Sequence, residues 1–159
     1  MKYSILIILF ITSIFLNAQN RRIETNIQKL DNSQFVIDHN SKAIFAYKSS
    51  AANKLIRIGK AASPKLIAAL NDPNKVIMAH LVLCHIYFKS VSFAGPKEQS
   101  KDDVTIYKYY LGQQNGEGLI ISEIKKGKGY SLFIEPKDLE DIITYWKTKA
   151  KGWYIKKRN

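Results

Sequence analysis

His80 and Cys84 stand four residues apart in the strongly apolar run VIMAHLVLCHIYF. If that run is a helix they share a face, where an imidazole could act as base to a thiol nucleophile or both groups could hold a metal ion. His85 lies five residues beyond His80, about 140° around such a helix, so the three cannot converge on one point. His39 is the remaining histidine, and no Cys, Asp or Glu at ligand spacing accompanies it. Free cysteine usually packs as a small hydrophobe, and burial also protects a lone thiol in an oxidising compartment. The expectation is a buried cysteine beside partly exposed helix histidines, with no catalytic residue, metal site or cofactor.

Other clusters have equally ordinary readings. Gly112, Gly116 and Gly118, and Gly127 and Gly129 beside Lys125, Lys126 and Lys128, do not lie between a strand and a helix N-terminus, which phosphate-binding loops require. Hairpin turns explain them. Glu123 with Glu135, or Asp138 with Glu140 and Asp141, could be drawn as an acid/base pair. Strand edges and a helix's first turn are nonetheless where acidic residues commonly sit. Four tyrosines are more suggestive: Tyr107, Tyr109, Tyr110 and Tyr130 fall on neighbouring predicted strands, and one sheet face must look away from the helix that covers the other. A tyrosine face beside lysines makes a candidate partner-binding surface for protein or glycan. The alternative is that most of these rings pack under loops or against helices.

Composition narrows the class. The 159 residues carry 25 Lys+Arg against 13 Asp+Glu, a formal net charge of +12, with 46% apolar residues and one cysteine. That is one domain's worth of chain, able to bury a core and without a disulfide framework. The opening MKYSILIILFITSIFLNAQN places Lys2 before an apolar run and turns polar at Asn17-Ala18-Gln19, the pattern of a cleaved secretory leader. Its apolar stretch, residues 3–16, spans about 21 Å as a helix against a hydrocarbon core of about 30 Å, too short for an anchor. Lys2 is the leader's only charge, so cleavage after Ala18 leaves +11 on the mature chain. The Asn-Ala-Gln ending resembles leaders of exported proteins from Gram-negative bacteria of the Bacteroidetes type, which implies a periplasmic or secreted product. There the charge favours a protein or an anionic envelope component as partner and makes nucleic acid a poor one.

The elements that must position these residues follow from periodicity. Residues 19–48 form an N-terminal segment with a short stripe at Ile23, Ile27 and Leu30 behind Thr25 as a possible cap, then FVIDHNSKAIFAYK, which fits no single period. From Ser49 the stripe Ala52, Leu55, Ile56 predicts a helix ended by Gly59. Ser63-Pro64 opens a second with Leu66, Ile67 and Leu70 buried, and Asp72-Pro73 a third that is apolar nearly all round to Phe88. Residues 52–86, with Leu-x-x-Ile-Gly, Ala-x-Pro-x-Leu-Ile, Leu-x-Asp and Val-x-x-Ala-x-x-x-Leu, resemble a single HEAT-type helical repeat. The resemblance implies an interaction scaffold, and one copy must pack against something else to bury its core.

Residues 91–103 read as a loop around Gly95-Pro96. Three strands follow, Val104 to Gly112, Leu119 to Ile124 and Tyr130 to Ile134, and then a helix from Pro136 with the stripe Leu139, Ile142, Ile143, Trp146, Ala150, stopped by Gly152 before a basic tail over 153–159. The fold expected is α+β, with a HEAT-like helical half (49–90) packed beside a three-stranded antiparallel meander covered by a C-terminal helix (104–152) in one compact domain. The function expected is a non-enzymatic exported interaction domain. A periplasmic inhibitor or immunity protein against a toxin or lytic enzyme, and a small envelope hydrolase, are the rival classes.

Overall fold

The computed structural model describes residues 17–39, 44–101, 104–113, 118–126 and 129–156. The apolar stretch of the leader therefore lies outside the described residues, as do 157–159. Among the described residues no helix is long and apolar enough to cross a membrane.

Helix α1 spans residues 17–28 and buries Ile23 and Asn26, with Leu30 buried just beyond it. Thr25 does not cap it. Because the helix begins upstream, Thr25 is interior, and its hydroxyl donates to the Arg21 carbonyl at 2.9 Å. The segment that fits no single period is two strands, β1 Phe35–Asp38 and β2 Ile44–Tyr47, paired antiparallel with Phe35 opposite Tyr47. Its mixed pattern arises because the two apolar clusters belong to separate strands of one hairpin.

Helix α2, Ser50–Ile58, is capped by the Ser49 hydroxyl, which accepts from the Ala52 amide at 3.2 Å, and it buries Ala51, Ala52 and Leu55. Gly59 follows at φ 73°, a conformation that glycine adopts without strain. A 3-10 turn, Gly59–Ala62, then runs straight into α3, Ser63–Ala69. Ser63 is consequently helical itself and makes no cap, because an N-cap needs extended backbone.

Helix α4, Val76–Phe88, is the centre of the molecule, with every residue from Val76 to Cys84 buried. Its own first turn supplies no side-chain cap. The cap comes instead from Asn32, 45 residues away, whose Oδ1 accepts from the Ile77 amide at 2.9 Å and the Met78 amide at 3.4 Å. The same side chain donates to the Pro73 carbonyl at 2.7 Å, so Asn32 ties the N-terminal segment to the start of the central helix. Asn32→Ala is expected to lower the unfolding free energy by about 1–2 kcal/mol, whereas Asn32→Asp, which keeps the acceptor at a helix N-terminus, recovers most of it. Urea denaturation of the two variants checks this, and equal losses would show that the cap is not what Asn32 contributes.

The large sheet has four strands, not three: β3 Ser92–Lys101, β4 Val104–Gly112, β5 Leu119–Lys126 and β6 Gly129–Phe133, in that order and antiparallel throughout. The segment expected as a loop is thus an edge strand. Residues 94–100 are all exposed, so no buried face imprints alternation on them. Gly95-Pro96 marks a register shift between Ala94 and Lys97, not a turn. At Gly95, φ is 126° and a Cβ would lie 2.8 Å from the Lys108 carbonyl oxygen, so the kink requires glycine.

Helix α5 runs from Pro136 to Lys156 and contacts α3 and β5. Gly152 does not stop it. A glycine within a helix costs only about 1 kcal/mol relative to alanine, and Gly152 does not adopt the left-handed backbone that ends helices. The architecture is α+β, and one apolar cluster draws on both the helices and the large sheet.

Candidate functional site

His80 and Cys84 do share a face, with Sγ 3.4 Å from Nε2, and both are fully buried. Two further contacts decide what the imidazole can do. Trp146 Nε1 donates to His80 Nδ1 at 3.0 Å, and His80 Nε2 lies 2.8 Å from the Leu111 carbonyl oxygen. An indole N–H can only donate and a carbonyl can only accept, so the proton must reside on Nε2 and the lone pair on Nδ1. The nitrogen facing Cys84 therefore already carries a proton, and the basic nitrogen is occupied by Trp146. This imidazole cannot deprotonate the thiol, and it has no lone pair to offer a metal. Burial pushes its pKa down to about 4, so it stays neutral at physiological pH. His80 is a structural tie between α4, β4 and α5. His85 points elsewhere, with its Nε2 3.3 Å from the Tyr47 hydroxyl. Among the described residues no group of three or more His, Cys, Asp or Glu could hold a metal ion.

The four tyrosines do not form one face. Strand register places Tyr107 opposite Glu123 and Tyr109 opposite Ile121, while Tyr110, opposite Ile120, points to the other side of the sheet. Tyr109 is only 3% exposed and stacks on Phe93, which in turn meets Phe35 and Phe45 of the small hairpin. Tyr110 lies over Gly118, where a Cβ would collide with its ring. Tyr107 is half-buried and Tyr130 is exposed.

Around Tyr109 the sheet buries a carboxylate. Glu123 is 2% exposed, its Oε2 accepts from the Tyr109 hydroxyl at 3.1 Å, and its Oε1 lies 3.3 Å from Nε2 of His39. His39 stacks on Tyr130 with ring centroids 4.2 Å apart. Burial and then the Glu123 charge raise the Tyr109 phenol, which remains a donor. This cluster fastens the β1–β2 hairpin to β5 and β6. Tyr109→Phe, which leaves a buried carboxylate oxygen without its donor, is expected to cost about 1–3 kcal/mol in urea denaturation. Tyr107→Phe serves as the comparison, with a loss under about 0.5 kcal/mol as for other substitutions outside such networks.

A third constellation was not singled out by spacing. The end of α4 carries Tyr87 and Phe88, whose rings lie 5.4 Å and 5.9 Å from that of Trp146. Lys60, from the turn after α2, sits over the Tyr87 ring at 5.3 Å, and Lys149 of α5 sits over the Phe88 ring at 5.1 Å. Cations over ring faces are attracted by the aromatic quadrupole. The turn after α2, the end of α4 and the second half of α5 meet here, and the stretches they belong to, 49–71, 74–91 and 142–156, contain no acidic residue. Arg57 precedes Lys60, Lys89 follows Phe88, and Lys147 and Lys151 flank Lys149. Among the described residues Glu24 pairs with Lys65, Asp72 with Lys75 and Glu135 with Lys108. Some of this charge offsets the negative ends of α4 and α5, but the run without any acid extends well beyond the last turns. The signal available in the sequence was that acid-free spacing, which only the meeting of the three stretches turns into a surface.

Fold and site together define an α+β domain in which buried His80 and Glu123 serve as internal ties and two lysines sit on the rings at the end of α4. Compared with family models, curated proteins and solved structures, the chain matches none.

Proposed function

We propose that this chain is an exported, non-enzymatic interaction domain that recognises an anionic partner through the basic helical end. The observation that carries the reading is the pair of lysines, Lys60 and Lys149, seated on adjacent rings of α4 where three acid-free stretches meet. Such a surface attracts negative charge from a distance and accelerates encounter. The resemblance of residues 52–86 to a HEAT-type repeat, a unit used for interaction, supports the same assignment. The hydrolase alternative loses its strongest pair of residues, since His80 and Cys84 are sealed in the core. Export rests on the leader-like opening of the chain.

Fluorescence anisotropy of labelled poly-L-glutamate tests the reading. Binding by the purified protein is expected, weakening steeply between low and high salt because exposed charges are screened. It should fall in Lys60→Gln/Lys149→Gln and persist in Lys97→Gln, which removes a cation from the exposed edge strand. No binding at low salt, or an equal loss in the edge-strand variant, removes the proposal.

A further inference from the structure

Independently of that reading, we infer that the hollow between strands β3 and β4 and the first turn of α5 binds an acidic sugar, a hydroxylated ring that carries one carboxylate. Its volume is about 520 Å³, within the range of small-ligand sites, and Pro96, Lys97, Gln99, Lys108, Tyr110 and Asp138 are among the residues that line it. Asp138 precedes Lys149 on α5 by about 16 Å along the helix axis, so this site stands apart from Lys149 and the Phe88 ring.

The β3–β4 register brings the cations together. Ala94 lies opposite Tyr110 and Lys97 opposite Lys108, so Gly95 and Pro96 together face the single residue Tyr109. Without that extra residue Lys97 would oppose Tyr107 and its side chain would leave the other face of the sheet. The bulge therefore sets Lys97 on the face of Gln99, Lys108 and Tyr110. Like charges directly opposite one another destabilise a sheet. Lys108 has Glu135 at 3.2 Å, but Lys97 has no ion pair among the described residues, which leaves the two ammonium groups one negative charge short. A ligand carboxylate supplies it.

The other residues select what carries that carboxylate. Tyr110 is fixed, with its ring over Gly118 and its hydroxyl donating to the Gln113 carbonyl, so it offers a preset flat wall to the apolar C–H face of a pyranose. Asp138 makes no hydrogen bond or ion pair among the described residues, and burial holds its carboxyl above the ordinary range although the Lys108 charge pulls the other way. A plain organic acid would meet repulsion from that group. Ring hydroxyls can instead donate to Asp138 and exchange hydrogen bonds with the Gln99 amide, so a sugar acid satisfies both.

Amide chemical-shift titration by NMR tests the inference. D-Glucuronate is expected to bind with a dissociation constant in the millimolar range and to shift amides of β3, β4 and the first turn of α5. D-Glucose, which lacks the carboxylate, and cyclohexanecarboxylate, which lacks the hydroxyls, should each bind at least about tenfold more weakly, the cost of a lost charge-assisted hydrogen bond or two neutral ones. Lys97→Gln should weaken glucuronate binding about tenfold or more, while poly-L-glutamate binding at the basic helical end persists. Asp138→Ala should weaken glucuronate but not cyclohexanecarboxylate. Lys147→Gln, an exposed change in the second half of α5, should alter neither. No shift with glucuronate, full binding by Lys97→Gln, or an equal loss in Lys147→Gln overturns the site. Cyclohexanecarboxylate binding as tightly as glucuronate overturns the sugar assignment.

Discussion

Truncation of Trp146 to alanine is expected to lower the unfolding free energy by about 3–5 kcal/mol, the range for deleting a large aromatic from a core. Domains of this size hold only about 5–15 kcal/mol in all, so the variant should sit near the limit of folding at 37 °C. The magnitude follows from position: Trp146 is fully buried, touches Tyr87, Phe88 and Tyr145, and carries the donor for His80 Nδ1. Trp146→Phe separates the two contributions. It keeps most of the apolar volume but leaves Nδ1 buried without a donor, a loss of about 1–3 kcal/mol. Adding His80→Leu to Trp146→Phe should then cost less than His80→Leu costs in the parent, because the orphaned nitrogen is gone. Urea denaturation followed by far-UV circular dichroism gives all four free energies, and strict additivity would show that the indole and imidazole are not coupled.

Mild acid should destabilise the protein through the same imidazole. In the unfolded chain His80 titrates near its ordinary value of 6.5, whereas in the fold burial holds it at about 4. Between those values the unfolded state binds a proton that the folded state refuses, so stability is full above pH 6.5 and is lost as pH falls towards 4. A shift of that size corresponds to about 3 kcal/mol. His85, half-buried and also pushed down, adds a smaller loss of the same sign. Asp138, raised by burial, opposes it near the bottom of the window. Glu24, Asp31 and Asp72 are held below their ordinary values, so their losses fall at lower pH. Comparison of unfolding free energies at pH 7 and pH 4.5 should show the drop in the parent and a much shallower one in His80→Leu. A parent curve that is flat over this interval would contradict the neutral, doubly bonded imidazole.

These expectations rest on long-range contacts, and that explains which parts of the molecule could be read in advance. Helices α2, α3 and α4 and strands β4, β5 and β6 lie close to where periodicity and β-branched or aromatic content place them. In each of those elements except β6, which has no buried residue, one buried face or a fully buried run imposes a pattern on neighbouring residues. Strand β3 carries no such imprint, since most of it is exposed on both sides and its pairing is known only from β4. Asn32 looked like one polar residue among many, because the amides it caps belong to a helix 45 residues further on.

From its residues alone the chain determined its basic excess, helices α2 to α4, strands β4 to β6 and the shared face of His80 and Cys84, since charge, local composition and i,i+4 spacing are local properties. Tertiary structure decided the rest. It locked the imidazole between Trp146 and Leu111, sent Tyr109 into the core with Glu123 and Tyr110 to the opposite side, and brought one lysine from the turn after α2 and one from α5 over two rings of α4. The physical reason is that a hydrogen-bond partner, a buried face or a charged surface depends on which distant segments meet. That choice is made by burial of the apolar core as a whole, not by the spacing of any one motif.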